Sequence, residues 1–141
     1  MATVATYFSP RDGTHPETVQ LLAELIKPDD APTNANGMLK LGFSQTEIAS
    51  MTGTSPKELD ELFEGRRLPR ETERLLSYSC YAATLLLRQH GDPAPVTELM
   101  RQEWPELSDE SMVTYMPKDR HACLEQASRV AIDLFNQQIA I

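Results

Sequence analysis

The chain has 141 residues, 40% of them hydrophobic, and a formal net charge of −8. That length suits one compact domain with room for an appended subdomain. The acidity argues against non-specific nucleic-acid binding, and no apolar run approaches the roughly 20 residues of a membrane span.

The charge is unevenly spread. Residues 92–141 carry −5, whereas residues 40–75 carry only −1. Exposed charges more than about 8 Å apart are largely screened at physiological salt, so local charge decides what a given surface meets. The N-terminus, MATVATYFSPRDG, has no basic region followed by an apolar segment, and a secretory signal is not expected. Cys80 and Cys123 stand apart without motif spacing, which predicts reduced thiols and a cytoplasmic protein.

Helical periodicity dominates, so the predicted class is all-α. Thr14-His15-Pro16-Glu17 reads as a helix start, with Val19, Leu22, Leu25 and Ile26 as its stripe and Pro28 as its end. Residues 29–37, DDAPTNANG, read as a loop by composition. A short segment from Met38 to Gly42 leads into Ser44-Gln45-Thr46-Glu47, a capping box. Ile48, Ala49 and Met51 point inward, and Gly53 stops this helix in a left-handed conformation. Ser55-Pro56-Lys57-Glu58 opens the next helix, with Leu59, Leu62 and Phe63 as its buried side and Gly65 as its end.

Pro69 opens a long helix running to about Gln89. Its middle, Leu75 to Leu87, is apolar nearly all round, which predicts a central position or a subunit contact. Asp92-Pro93-Ala94-Pro95 reads as a linker, dividing a domain of residues 1–91 from a helical subdomain of residues 92–141. Short helices are predicted at about 96–104 and 109–116. A final helix follows at about 119–138, with Cys123, Ala127, Val130, Ala131, Leu134 and Phe135 on one face.

Residues 44–65 meet the requirements of a steep helix pair on a tight turn. Ala49 is small where the backbones approach, Gly53 tolerates positive φ, Ile48, Leu59 and Leu62 seal the wedge, and Ser44 and Ser55 cap the helices. The stretch resembles the phage-repressor and Cro-type (XRE-like) helix-turn-helix family over about residues 38–88. The likeness rests on Ser44-Gln45-x-x-Ile48-Ala49, Gly53, Leu59, Leu62-Phe63-Glu64-Gly65 and Arg66-Arg67-x-Pro69. Thr52 and Thr54 stand where that family more often has larger apolar residues.

The resemblance implies a compact domain of four to five helices that binds operator DNA as a homodimer and regulates transcription; the periodicity alone adds the short helical C-terminal extension. It implies Gln45 at a phosphate, Ser55, Lys57, Asp60 and Glu61 facing the groove, and Arg66, Arg67 and Arg70 on the backbone. Lys57, Asp60, Glu61 and Glu64 together make the outward face −2. The alternative is therefore an acidic protein-interaction module on the same fold, antitoxin-like or phage-borne, binding a basic protein partner through this surface or the C-terminal tail.

The remaining residues suggest no catalytic chemistry. His121 and Cys123 lie two apart on a helix and cannot share an ion there, and His15 and His90 sit at helix ends. Ser77, Ser79 and Cys80 lack an oxyanion loop, and Glu98, Glu103 and Glu106 read as a solvated face. No catalytic residue, cofactor or metal is expected. Trp104 and Tyr115 read as plugs of a small core, with interface anchors as the other reading.

Overall fold

The computed structural model describes residues 30–90 and 93–139. The predicted helix from Thr14 to Pro28 lies outside these residues. Seven α-helices carry nearly all of the described chain: α1 (Ala31–Leu41), α2 (Gln45–Thr52), α3 (Pro56–Phe63), α4 (Arg70–His90), α5 (Ala94–Arg101), α6 (Met112–Tyr115) and α7 (Arg120–Ile139). A two-stranded antiparallel ribbon, β1 (Glu103–Trp104) with β2 (Glu110–Ser111), encloses a single 3-10 turn at Pro105–Leu107. The fold is all-α, as the periodicity predicts.

The helix α1 corrects the loop reading of residues 29–37. Asp30 caps it, its side chain accepting from Thr33 N at 3.2 Å, and Pro32 sits in the first turn. Ala31, Ala35, Met38 and Leu41 recur at helical spacing on its buried face. Of the residues that suggest a loop, Asn34 and Gly37 are buried within that face, while Pro32 and Asn36 stay exposed. Gly42, at φ 115°, ends the helix with its N–H on Leu39 O.

The capping box of α2 is complete. Ser44 Oγ accepts from Glu47 N at 3.1 Å, and Ser44 N donates to Glu47 Oε1 at 2.9 Å. Phe43 before the cap and Ile48 in the second turn are both buried, the placement of a hydrophobic staple. Gly53 is left-handed (φ 68°, ψ 29°), and Thr54 N bonds back to Ala49 O. Only Gly53, Thr54 and Ser55 separate the two helices.

The long α4 is central. α1, α2, α5 and α7 all pack on it, with α7 making the most extensive contact. Its buried residues include Leu75, Leu76, Ala82, Ala83, Leu86 and Leu87, while Tyr81 is exposed. The final helix docks on this long helix, and its Cys123, Ala127, Val130 and Ala131 are buried. One buried cluster joins Ile48, Met51 and Leu59 with Met100, Leu107, Met112 and Cys123, so residues on both sides of the 92–95 stretch share a core.

Between α5 and α7 the chain is more broken than its periodicity suggests. In place of helices at 96–104 and 109–116, α5 stops at Arg101 and α6 spans only Met112–Tyr115. Pro105 interrupts the backbone, and Ser108 (φ 57°) and Asp109 (φ 63°) take left-handed conformations that reverse the chain. Trp104 is half-buried, donating from Nε1 to Leu99 O at 3.3 Å, and Tyr115 packs against the core.

Candidate nucleic-acid interface

The chemistry of the α2–α3 pair follows from what each helix buries. α2 buries Ile48, Ala49, Met51 and Thr52, with the Thr52 hydroxyl donating back to Ile48 O at 2.8 Å. α3 buries only Leu59 and Leu62. Phe63, expected on the buried side, is 37% exposed, because α3 lies at the edge of the core and only Leu59 and Leu62 point into it. Lys57, Glu58, Asp60 and Glu64 are exposed, so no described part of the chain covers the outward face of α3.

Ser55 caps α3, accepting from Glu58 N at 3.3 Å. The box is only half formed, since the Glu58 carboxylate takes the Ser55 hydroxyl at 3.2 Å. Gln45 points from the first turn of α2 to α3. Its Nε2 donates to Pro56 O at 2.8 Å and to Asp60 Oδ1 at 2.7 Å, which uses both amide hydrogens inside the motif. Glu61 lies 3.7 Å from Arg66. Lys57 stands on the same face as Asp60, three residues before it.

The cations of the basic exit are engaged to different degrees. Arg67 grips Glu73 through two bonds, Nε to Oε2 at 3.0 Å and Nη2 to Oε1 at 2.8 Å. Glu73 also accepts from Leu68 N at 3.2 Å, so this pair fixes the chain between α3 and α4. The Arg67 guanidinium, with the accepting bond to Leu68 N, holds the Glu73 carboxyl below the ordinary range against the opposing effect of burial. Arg66 and Arg67 have side chains 68% and 81% exposed. Arg70 is exposed at the start of α4, and Arg74 reaches Glu71 only at 4.0 Å. Arg67, Arg70, Arg74, Glu73, Asp30 and Ser77 line an open groove of about 430 Å³ where α1 begins beside α4.

A further contact, one the sequence gives no sign of, buttresses the start of α2 from 54 residues away. Arg101 at the end of α5 bonds Glu47 through Nε at 2.6 Å and Nη2 at 2.8 Å, and also reaches Gly42 O at 3.1 Å. Its guanidinium lies 5.8 Å from the centre of the Phe43 ring. The Glu47 carboxyl is lowered by the bonds from Arg101 first, with the cap bonds from Ser44 adding to it and burial opposing. Charge-assisted bidentate pairs of this kind fix orientation as well as adding energy.

Other groups of sequence-level interest fall outside this surface. Cys80 and Cys123 are free and buried, and burial pushes the Cys123 thiol up to about 12 and Cys80 higher still. His121 makes an edge contact with Tyr78, with ring centres 5.2 Å apart. Among the described residues no cluster of His, Cys, Asp and Glu has the arrangement of a metal site, and no helix is long and apolar enough to cross a membrane.

Comparison with protein-family models, with curated proteins and with solved structures finds no match to this chain. The functional reading therefore rests on the geometry above.

Proposed function

We propose that this protein is a sequence-specific DNA-binding regulator of transcription that acts as a dimer on operator DNA. The observation that carries the reading is the α2–α3 pair itself: two capped eight-residue helices on a three-residue turn, the second anchored by two leucines and otherwise open to solvent. A helix held this way suits insertion into the major groove, about 12 Å wide. Arg66 and Arg70 flank the exit of α3, where phosphates would run.

The local charge limits affinity without opposing the reading. Carboxylates near phosphates weaken binding, and the four outward side chains Lys57, Asp60, Glu61 and Glu64 sum to −2. Two of these carboxylates have internal partners, Asp60 with Gln45 and Glu61 with Arg66, which moderates the repulsion. The same acidity favours the second reading, an interaction module whose α3 face meets a basic protein.

The test is binding to DNA taken from just upstream of its own coding region, at two salt concentrations. A sequence-specific complex that weakens steeply as salt rises supports the first reading. Arg66→Ala with Arg70→Ala should remove most of that complex without unfolding the chain. Arg67→Ala is a poorer choice, because it strips Glu73 of its partner. Sedimentation of the free protein and of the complex measures the dimer. No complex at low salt, with retention of a basic protein partner, supports the second reading.

A further inference from the structure

We propose that Asp60 is the base-reading side chain of α3, accepting a hydrogen bond from cytosine N4 in the major groove. The proposal rests on the DNA-binding reading and assigns its specificity to one atom pair.

The outward groups of α3 differ in what is left of their bonding capacity. The Ser55 hydroxyl and the Glu58 carboxylate are engaged with each other at the cap. Glu61 is drawn toward Arg66. Lys57 carries its charge on a flexible four-carbon stem. Asp60 has a short side chain, and one of its oxygens is tied down: Gln45 Nε2 holds Oδ1 at 2.7 Å. Gln45 is itself fixed, because the same nitrogen donates to Pro56 O at 2.8 Å. The second carboxylate oxygen of Asp60 makes no hydrogen bond among the described residues. The result is an acceptor positioned before any partner arrives, with its rotamer already selected.

The chemistry of the groove then selects the base. Guanine presents two acceptors there and thymine an acceptor beside a methyl group, so both oppose a carboxylate. Adenine offers an amine, but its N7 acceptor adjoins it. Cytosine's N4 donor has an acceptor, the paired guanine's O6, on one side only, whereas adenine's amine lies between its own N7 and the paired thymine's O4, so cytosine is the base a lone carboxylate oxygen fits best. Gln45 acts here as a positioning residue, and its amide dipole offsets part of the repulsion between Asp60 and nearby phosphates.

The experiment is selection of binding sites from a randomised duplex pool by the full chain and by Asp60→Asn, Asp60→Ala and Gln45→Ala. The wild type is expected to require cytosine at one position per half-site, with a preference of about tenfold. Asp60→Asn should move that position to adenine, because an amide both donates and accepts, and leave the others unchanged. Asp60→Ala should level it, and Gln45→Ala should weaken it without shifting any other position. A site enriched by the wild type and kept at every position by both Asp60 variants overturns the assignment and leaves the DNA-binding reading standing. Failure of the wild type to enrich any sequence overturns both, and Asp60-dependent binding of an oligolysine peptide would then give the carboxylate to a basic protein. Melting curves of the variants, expected to match the wild type, separate these outcomes from unfolding.

Discussion

The helices α2 and α3 have the same length, eight residues, and each begins with a capping serine, yet they are built for different ends. α2 is enclosed. It buries four residues, its capping box is complete, and Arg101 braces its first turn from across the molecule. α3 is presented. It buries two residues, its box is half formed, and its outward carboxylates meet near neighbours: Glu58 the Ser55 cap, Asp60 Gln45 and Glu61 Arg66. Secondary structure is thus shared between the two, while burial and outside bracing separate the helix that supports from the helix that is offered.

This contrast is sharpest at the anchors. Leu59→Ala removes one of the two leucines that hold α3, both almost fully buried. A loss of about 2–5 kcal/mol is expected, read from urea unfolding. Little change would mean that α3 is held by something other than its leucines.

The hinge comes next. Gly53→Val places a β-branched residue at φ 68°. The first added carbon meets Leu75 and Pro117 side chains at an ordinary 3.8 Å, so the backbone conformation rather than a clash at that atom sets the cost. About 1–3 kcal/mol of destabilisation is expected by thermal or urea unfolding. Unchanged stability would remove the left-handed turn from the description.

The caps should differ by less. Ser44→Ala is expected to cost about 1–2 kcal/mol and Ser55→Ala about 0.5–1 kcal/mol, because the complete box loses more order than the half-formed one. Equal losses would show that the completeness of the capping box does not distinguish the two helix starts.

The smallest effect concerns Arg101. Its removal should cost about 1 kcal/mol at neutral pH, as expected for a partly exposed ion pair with good geometry. The Glu47 carboxyl is lowered in the folded chain from its ordinary 4.5. Its contribution is therefore present above that value and is lost as pH falls through the lower, folded value. Wild type and Arg101→Ala should converge in melting temperature below about pH 4.5 and separate above it. Curves that stay parallel from pH 3 to pH 7 would show that the ion pair contributes nothing.

Legibility in the sequence follows the same division. Signals confined to a few neighbouring residues are readable: Ser44 with Glu47, Gly53, Pro56 after Ser55, and the apolar run of α4. Three kinds of feature are not. α1 is masked by composition, since Asn34 and Gly37 suggest a loop until their burial against other elements is known. The segment between α5 and α7 turns on Ser108 and Asp109, neither of them a glycine, in left-handed conformations that no local signal demands. Phe63 reads as core by type and period, and only the position of α3 at the edge of the fold exposes it. In the candidate site, the residue types facing outward are legible, but the bonds that decide their availability are not. Gln45 and Asp60 are 15 residues apart, and Arg101 and Glu47 are 54.

A side-chain carbon added at Gly53 would come within ordinary contact distance of Pro117, and Ser50 donates its hydroxyl to Val113 O at 3.2 Å. The underside of the turn is thus floored by residues more than sixty positions downstream. A fragment cut at the Asp92–Pro95 stretch would lose that floor together with Arg101, and would expose side chains that the intact chain keeps dry. Silence from such a fragment in a binding assay would reflect a motif without its foundation, so the motif has to be assayed together with the residues beyond Pro95.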